Sequence, residues 1–162
     1  MSEETSKQAK NYALYILAMR EYSQKLIIQK IKLRYKDISN TQIDQIITYL
    51  IESNYLSNTR YAQAKTRQLF NKFYGKSYIL QKLKEDGIDN LTSEKAIIES
   101  LQELRLNCAP TRDISWLEQI KIYLEKHKYD FLESDYNYQQ KWKRKLYQRG
   151  FDISDIMQVL TN

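Results

Sequence analysis

The chain has 162 residues, a formal net charge of +6, three glycines and one proline. So few turn-forming residues disfavour β-sandwiches and β-barrels and favour helices. The single cysteine, Cys108, excludes an internal disulfide, and no apolar run approaches the ~18 residues of a membrane-spanning helix. Because the N-terminus also lacks a segment of signal-peptide type, we expect a cytoplasmic protein without a membrane contact.

Apolar residues at helical spacing predict helices along the whole chain, and strand-like alternation is nowhere sustained. The helices fall into three groups that share one order: a first helix, a second helix, and a third helix striped with Ile and Leu. In chain order they are predicted around 9–22, 27–31 and 43–51, around 60–73, 79–83 and 94–104, and around 116–127, 142–146 and 153–160.

Polar residues mark the starts of the third helices. Ser39 and Gln42 have the spacing of a capping box, in which each side chain bonds to the other residue's backbone N–H. Thr92 or Ser93 is the candidate cap of the middle third helix, and Asp152 or Ser154 that of the last.

Two segments around glycine are alike, "LKEDGI" at 83–88 and "LYQRGF" at 146–151. Glycine just past a helix adopts the left-handed conformation that ends it, and the next apolar residue packs back on the last turn. Gly87 and Gly150 are therefore predicted to end two equivalent helices, with Ile88 and Phe151 as the returning contacts.

A three-helix unit used three times predicts an all-α fold, in which three tandem three-helix repeats stack as an elongated, solenoid-like array. The predicted divisions are a flexible tail at 1–8 and repeats at 9–56, 57–108 and 109–162.

Several segments resemble the RecX family, regulators of the RecA recombinase, and they follow in order over almost the whole chain. The matched features are Arg20-Glu21-Tyr22-Ser23, Tyr55-Leu56 before Arg60-Tyr61-Ala62, Gly75 with Ile79, Leu83 and Gly87-Ile88, and Arg149-Gly150-Phe151. The chain departs from the family at Asn54, where Gly is usual, and at Asn58, where Asp is frequent. Both replacements suit a turn. We interpret Arg20, Ser23, Gly75, Gly87 and Gly150 as structural motif residues.

The resemblance implies three tandem three-helix repeats, no enzymatic activity and no cofactor. It also implies binding in the helical groove of the RecA–DNA filament, where the family damps ATPase, strand exchange and co-protease activities in DNA repair and the SOS response. We expect a monomer whose partner is the RecA filament, with weak direct contact with DNA at most.

The residues themselves give no catalytic constellation. His127 is the only histidine, and with Cys108 it does not supply a zinc site. Residues 75–77 imitate the end of a phosphate-binding loop, but Phe70 stands where that motif needs Gly. The carboxylates within 85–89 are expected in solvent at a helix end, without a partner acid or base.

Charge changes in blocks along the chain. Residues 53–84 and 136–151 contain no acid, whereas 85–105 are mainly acidic. Stacking of the repeats would align the basic first and second helices as a strip along one side. The alternative is ordinary solvated helix faces. The candidate partner-binding residues of the strip are Arg60, Lys65, Arg67, Lys72, Lys76, Lys141, Lys145 and Arg149.

A helical wheel places Arg60 and Arg67 opposite the apolar face of their helix, so both are predicted to be free for a partner. We expect that reversing five charges to Glu abolishes inhibition with little loss of melting temperature. The five are Arg60, Arg67, Lys141, Lys145 and Arg149.

Arg20 falls on the apolar stripe of the first helix, so its charge has to be paired or reach solvent. A salt bridge or a bond to a helix C-terminus is favoured over a partner contact, and Ser23 is expected to cap the next helix.

A second function class remains open: a non-enzymatic nucleic-acid-binding helical module that acts on DNA through the basic strip. Its candidate stacking residues are Tyr61, Phe70, Phe73, Tyr74 and Tyr78. Phe70 and Phe73 argue against it, since both are predicted on the buried stripe.

Overall fold

The computed structural model describes residues 2–108, 114–132 and 135–161. These residues form nine α-helices and no strand, so the all-α prediction is confirmed. The helices are α1 (Ser2–Met19), α2 (Gln24–Arg34), α3 (Asn40–Glu52), α4 (Asn58–Asn71), α5 (Lys76–Glu85), α6 (Asn90–Leu106), α7 (Trp116–Lys126), α8 (Tyr136–Gln148) and α9 (Ile153–Leu160). None of the described helices is long and apolar enough to cross a membrane.

The helices pack three by three, as unit one (α1–α3), unit two (α4–α6) and unit three (α7–α9). Each unit has its own cluster of buried apolar side chains, around Ile27, Phe70 and Leu146 respectively. The chain exposes 10540 Å², whereas a compact monomer of this mass exposes about 8,500 Å². This excess fits an extended array. The domain boundaries at 56/57 and 108/109 stay a prediction.

The helix stops at glycine are confirmed. Gly87 and Gly150 have φ of 83° and 84°, and Ile88 and Phe151 are buried against the preceding helix ends. Asn54 has φ of 58°, so the asparagine at the end of α3 adopts the same left-handed conformation.

The helix starts are confirmed in part. The capping box of Ser39 and Gln42 is present, and Asp152 caps α9. The cap of α6 is Asp89, however, rather than Thr92 or Ser93. Its carboxylate accepts a hydrogen bond from the Thr92 N–H at 2.9 Å, which a residue inside the first turn could not do.

The first helix differs from prediction at both ends. It begins at Ser2, so residues 2–8 are helical where a flexible tail is expected, and acidic residues in its first turn favour that start. The hydroxyl of Tyr35 also donates to the carbonyl of Gln8 at 3.2 Å, which ties this segment to unit one. The helix ends at Met19 rather than at residue 22, because Ser23 caps α2.

The predicted apolar stripes are wider than the buried faces. Ile97 is buried, whereas its neighbour Ile98 is 54% exposed, since one residue turns the side chain by about 100° around α6. Ile51 is exposed at the end of α3 for the same reason.

Candidate partner-binding surfaces

The joint between units two and three is a contact between two backbone turns. The Gly75 N–H donates to the Arg149 carbonyl at 2.8 Å, and the Ser77 N–H donates to the Gly150 carbonyl at 3.1 Å. A Cβ at position 75 would lie 2.2 Å from the Gly150 carbonyl carbon, and one at position 150 would lie 2.3 Å from the Tyr78 nitrogen. Both glycines are therefore needed for this approach.

Arg149 fastens the same joint and is not free for a partner, contrary to prediction. Its Nε donates to the Phe73 carbonyl at 2.8 Å and its Nη2 to the Lys72 carbonyl at 2.5 Å. Its guanidinium also lies over the rings of Tyr74 and Tyr123, 4.3 and 4.6 Å from their centroids. A wheel of one helix cannot show this, because Arg149 lies beyond the end of α8 and its partners are in another unit.

The joint between units one and two has the same arrangement. The buried Ser23 hydroxyl donates to the Asp86 carbonyl at 2.6 Å and accepts from the Leu26 N–H at 3.2 Å, which confirms Ser23 as the cap of α2. Lys25 Nζ donates to the Glu85 carbonyl at 2.8 Å. A Cβ at Gly87 would lie 2.8 Å from the Lys25 Cβ, so this glycine also faces the turn of the preceding unit.

Arg60 is part of this joint, so its prediction as a free residue is wrong. Its Nε pairs with a Glu21 carboxylate oxygen at 2.8 Å. Its two terminal nitrogens donate to the Asn54 side chain and to the carbonyls of Asn54 and Tyr55, at 2.8–3.2 Å. Arg60 therefore closes the C-terminal end of α3. The fivefold reversal that includes Arg60 and Arg149 would break structural contacts and lower the melting temperature.

The other basic residues of unit two are mostly paired within it. Three are in ion pairs: Arg67 with Glu103 at 2.9 Å, Lys76 with Glu94 at 2.8 Å, and Lys65 with Asp86 at 3.9 Å. The blocks of opposite charge are distant in the sequence but meet because α6 packs on α4 and α5. Exposed pairs contribute little stability, yet they cancel much of the positive potential of unit two. Lys72 is exposed and has no ion pair with a described acid.

Of the carboxylates near residue 85, Glu85 and Asp89 are exposed at a helix end, as predicted, but Glu85 and Asp86 have structural partners. Glu85 pairs with Lys82 at 2.7 Å, and the hydrogen bond from Lys82 lowers the pKa of the Glu85 carboxyl. Asp86 accepts a hydrogen bond from the Tyr61 hydroxyl at 2.6 Å. Among the described residues, no group of His, Cys, Asp and Glu could hold a metal ion.

All five aromatic residues proposed for base stacking make contacts within the fold, Tyr61 through its bond to Asp86. Phe70 is buried, as predicted. Tyr74 and Tyr78 stack on each other with centroids 4.1 Å apart. Phe73 is not on the buried stripe of α4. It lies past the helix end with φ of 59° and contacts Tyr123, 6.0 Å between centroids.

Arg20 is exposed, because α1 ends one residue before it. Its guanidinium lies over the Tyr22 ring, 4.5 Å from the centroid, and it pairs with no described acid. The favoured salt bridge or helix-end contact is therefore wrong.

The two joints place α8, α5 and α2 end to end, which we call the second-helix row. The N-terminal end of α5 bonds to the turn that ends α8, and the N-terminal end of α2 bonds to the turn that ends α5. At 1.5 Å per residue the three helices together amount to about 50 Å of helix. Its basic residues are Lys25, Lys30, Lys32, Arg34, Lys76, Lys82, Lys84, Lys141, Lys143, Arg144 and Lys145.

The ends of the second-helix row carry most of its uncompensated charge. Neither α2 nor α8 contains an acid, and their cations form no ion pair with an acid that the structure describes. Lys145 lies over the Trp142 ring at 4.5 Å, which leaves its charge at the surface. Tyr136 and Tyr147, 70% and 63% exposed, lie on the same helix. The uncompensated basic charge therefore lies on the second helices at the two ends of the row, and it includes α2, which the charge blocks from residue 53 onward do not cover.

The comparisons with known proteins agree with this architecture. The family model described as "RecX, third three-helix domain" matches residues 114–160. A regulatory protein RecX of Vibrio cholerae serotype O1 is 38% identical over 73 residues, 45% of this chain. In that match the chain spans about half of the relative's length, 47%.

Two further matches extend over nearly the whole chain. A regulatory protein RecX of Acinetobacter baylyi is 28% identical over 160 residues, which cover 98% of this chain and 90% of the relative. The crystal structure of RecX from Lactobacillus salivarius superposes with a TM-score of 0.72 at 25% identity and covers 98% of both chains. These matches confirm the resemblance to the RecX family seen in the sequence.

Proposed function

We propose that the chain is a non-enzymatic regulatory protein that binds the RecA–DNA filament in its groove. There it damps the recombinase, ATPase and co-protease activities of RecA in DNA repair and the SOS response. The observation that carries this proposal is the second-helix row, three helices joined at their ends with uncompensated basic charge on α2 and α8. A long row of this kind fits an extended, negatively charged groove better than a compact ligand.

The joints explain how such a surface keeps its shape. Each contact between an exposed charge and the groove contributes little, on the order of 1 kcal/mol or less, so binding depends on many contacts made together. That requires α2, α5 and α8 to stay aligned. The backbone bonds of Gly75 and the side-chain bonds of Arg149 and Ser23 hold the three units in one arrangement.

Co-sedimentation with RecA filaments on single-stranded DNA tests the proposal, with the same DNA alone as the control. We expect the chain to sediment with filaments at a salt concentration that prevents its sedimentation with bare DNA. Binding should weaken as salt rises, since the contacts are electrostatic. A chain that stays in the supernatant with filaments at low salt would refute the proposal.

A second candidate is a nucleic-acid-binding module that acts on DNA directly. It is favoured by α8, where exposed Tyr136 and Tyr147 accompany four cations without an acid. Phosphates would contact the cations and bases would stack on the tyrosines. Equal sedimentation with bare DNA and with filaments would support this candidate instead.

A further inference from the structure

A cleft of about 410 Å³ lies at the joint between units one and two. Unit one contributes Arg20 and Tyr22 to its wall, and unit two contributes Tyr61, Lys65, Gln68 and Asp86.

The cleft follows from a difference in sequence between the two joints. At the joint of units two and three, the residue before the glycine is Arg149, whose guanidinium lies against Tyr74 and Tyr123. At the joint of units one and two, the residue before the glycine is Asp86, whose side chain is shorter and turns to the Tyr61 hydroxyl. The space beside Tyr22 therefore stays open.

The uncompensated charge of this cleft is positive. Asp86 accepts the Tyr61 hydrogen bond at 2.6 Å and lies 3.9 Å from the Lys65 ammonium. Burial, and then the bond to Asp86, raises the pKa of the Tyr61 hydroxyl well above its usual range, so it stays a donor to this carboxylate. Glu21, also in the wall, is paired with Arg60. Arg20 has no described acid as a partner, which leaves one positive charge in excess.

We propose that this cleft binds a carboxylate side chain from an acidic segment of the filament protein. The Arg20 guanidinium and the Gln68 amide have donors for it, and the ammonium of Lys65, which is paired with Asp86, lines the same cleft. The inference rests on the proposed function and deepens it, since it assigns a protein contact to a site away from the all-basic α8. One uncompensated positive charge matches a single carboxylate, whereas a nucleic-acid strand presents a row of phosphates, which the four cations of α8 match better.

The test compares the full-length variant Arg20→Gln/Lys65→Gln with a matched control, Lys7→Gln/Lys36→Gln, which removes two exposed charges elsewhere in unit one. Affinity is measured for RecA filaments on single-stranded DNA and for the DNA alone. Loss of charge-assisted hydrogen bonds should weaken filament binding about tenfold or more. We expect the control to bind like the parent, and neither variant to change binding to bare DNA.

A variant that binds filaments like the parent would overturn the inference. So would an equal loss of affinity for bare DNA, which would identify the ligand as phosphate. Failure of the parent itself to bind filaments would instead remove the proposed function, and the inference with it. If Lys65→Gln lowers the melting temperature, Arg20→Glu alone carries the same expectation, because Arg20 is exposed and outside the ion pairs of the joint.

A photo-cross-linking side chain at Gln68 identifies the occupant independently. With benzoylphenylalanine at this position, irradiation of the filament complex should join the chain to RecA. The same side chain at the exposed Lys36 is the control and should give no such product. Cross-linking to DNA rather than to RecA would contradict a protein ligand in the cleft.

Discussion

Alanine substitutions at the three glycines test two effects, the left-handed backbone conformation and the close contact between units. The expected loss of stability differs at each position. Gly75 has an ordinary φ, so Gly75→Ala acts through its clash with the Gly150 backbone. Two backbone hydrogen bonds would be lost, at about 1 kcal/mol each, or about 2 kcal/mol in all. Gly87→Ala should cost at least about 1–2 kcal/mol for the left-handed conformation, and its Cβ would also lie 2.8 Å from the Lys25 Cβ, a side-chain contact rather than a backbone one. Gly150→Ala combines both effects and should cost about 3–4 kcal/mol.

The assay is thermal and urea unfolding followed by circular dichroism and by tryptophan fluorescence. For a chain of this length each kcal/mol lowers the melting temperature by about 2–4 °C. Trp116 and Trp142 both belong to unit three, so their fluorescence should report Gly75→Ala and Gly150→Ala more strongly than Gly87→Ala. A Gly75→Ala variant that unfolds like the parent would refute the close backbone contact between units two and three.

Three further predictions concern the row, a joint and the helix caps. Reversing the four cations of α8 (Lys141, Lys143, Arg144 and Lys145) to Glu should greatly weaken filament binding with little change in melting temperature. Four reversals outside the second-helix row (Lys7, Lys36, Lys121 and Lys128) should leave filament binding unchanged. Arg149→Met should lower stability by about 2–3 kcal/mol through the lost charge-assisted bonds, and Arg149→Lys should not restore it, as unfolding curves would show. Hydrogen bonds from Thr92 and Ser154 lower the pKa of Asp89 and Asp152 below 3.8, so their stabilisation is complete above about pH 4 and is lost as pH falls through the lowered values. With Asn in place of both aspartates, the melting temperature should therefore depend less on pH between about pH 2 and 4. An unchanged dependence on pH would contradict the stabilising role of the two caps.

The helices and their ends could be predicted from the sequence because they depend on residues three to five positions apart. Periodicity located the buried Ile27, Phe70 and Leu146, and local context identified the left-handed Gly87 and Gly150. The ends of α1 were misjudged, since acidic residues near an N-terminus are equally typical of a solvated tail.

The role of the charged residues was predicted less well, because their partners lie in a neighbouring unit of the fold. Arg60 contacts Glu21 across 39 residues of sequence, and Arg149 contacts Phe73 across 76. No single-helix wheel contains these partners. The basic α2 could have been found, however. Residues 22–36 contain no acid, and extending the same charge count to the first third of the chain would have included Lys30 and Lys32.

The rate of ATP hydrolysis by RecA on single-stranded DNA, measured as the chain is added, tests the central claim most directly. We expect the parent to slow hydrolysis progressively. The variant with the four cations of α8 reversed should leave the rate unchanged at the same salt. A parent chain that sediments with filaments but leaves hydrolysis unaffected would contradict the claim of regulation. A folded α8 variant that inhibits like the parent would contradict the role of the second-helix row.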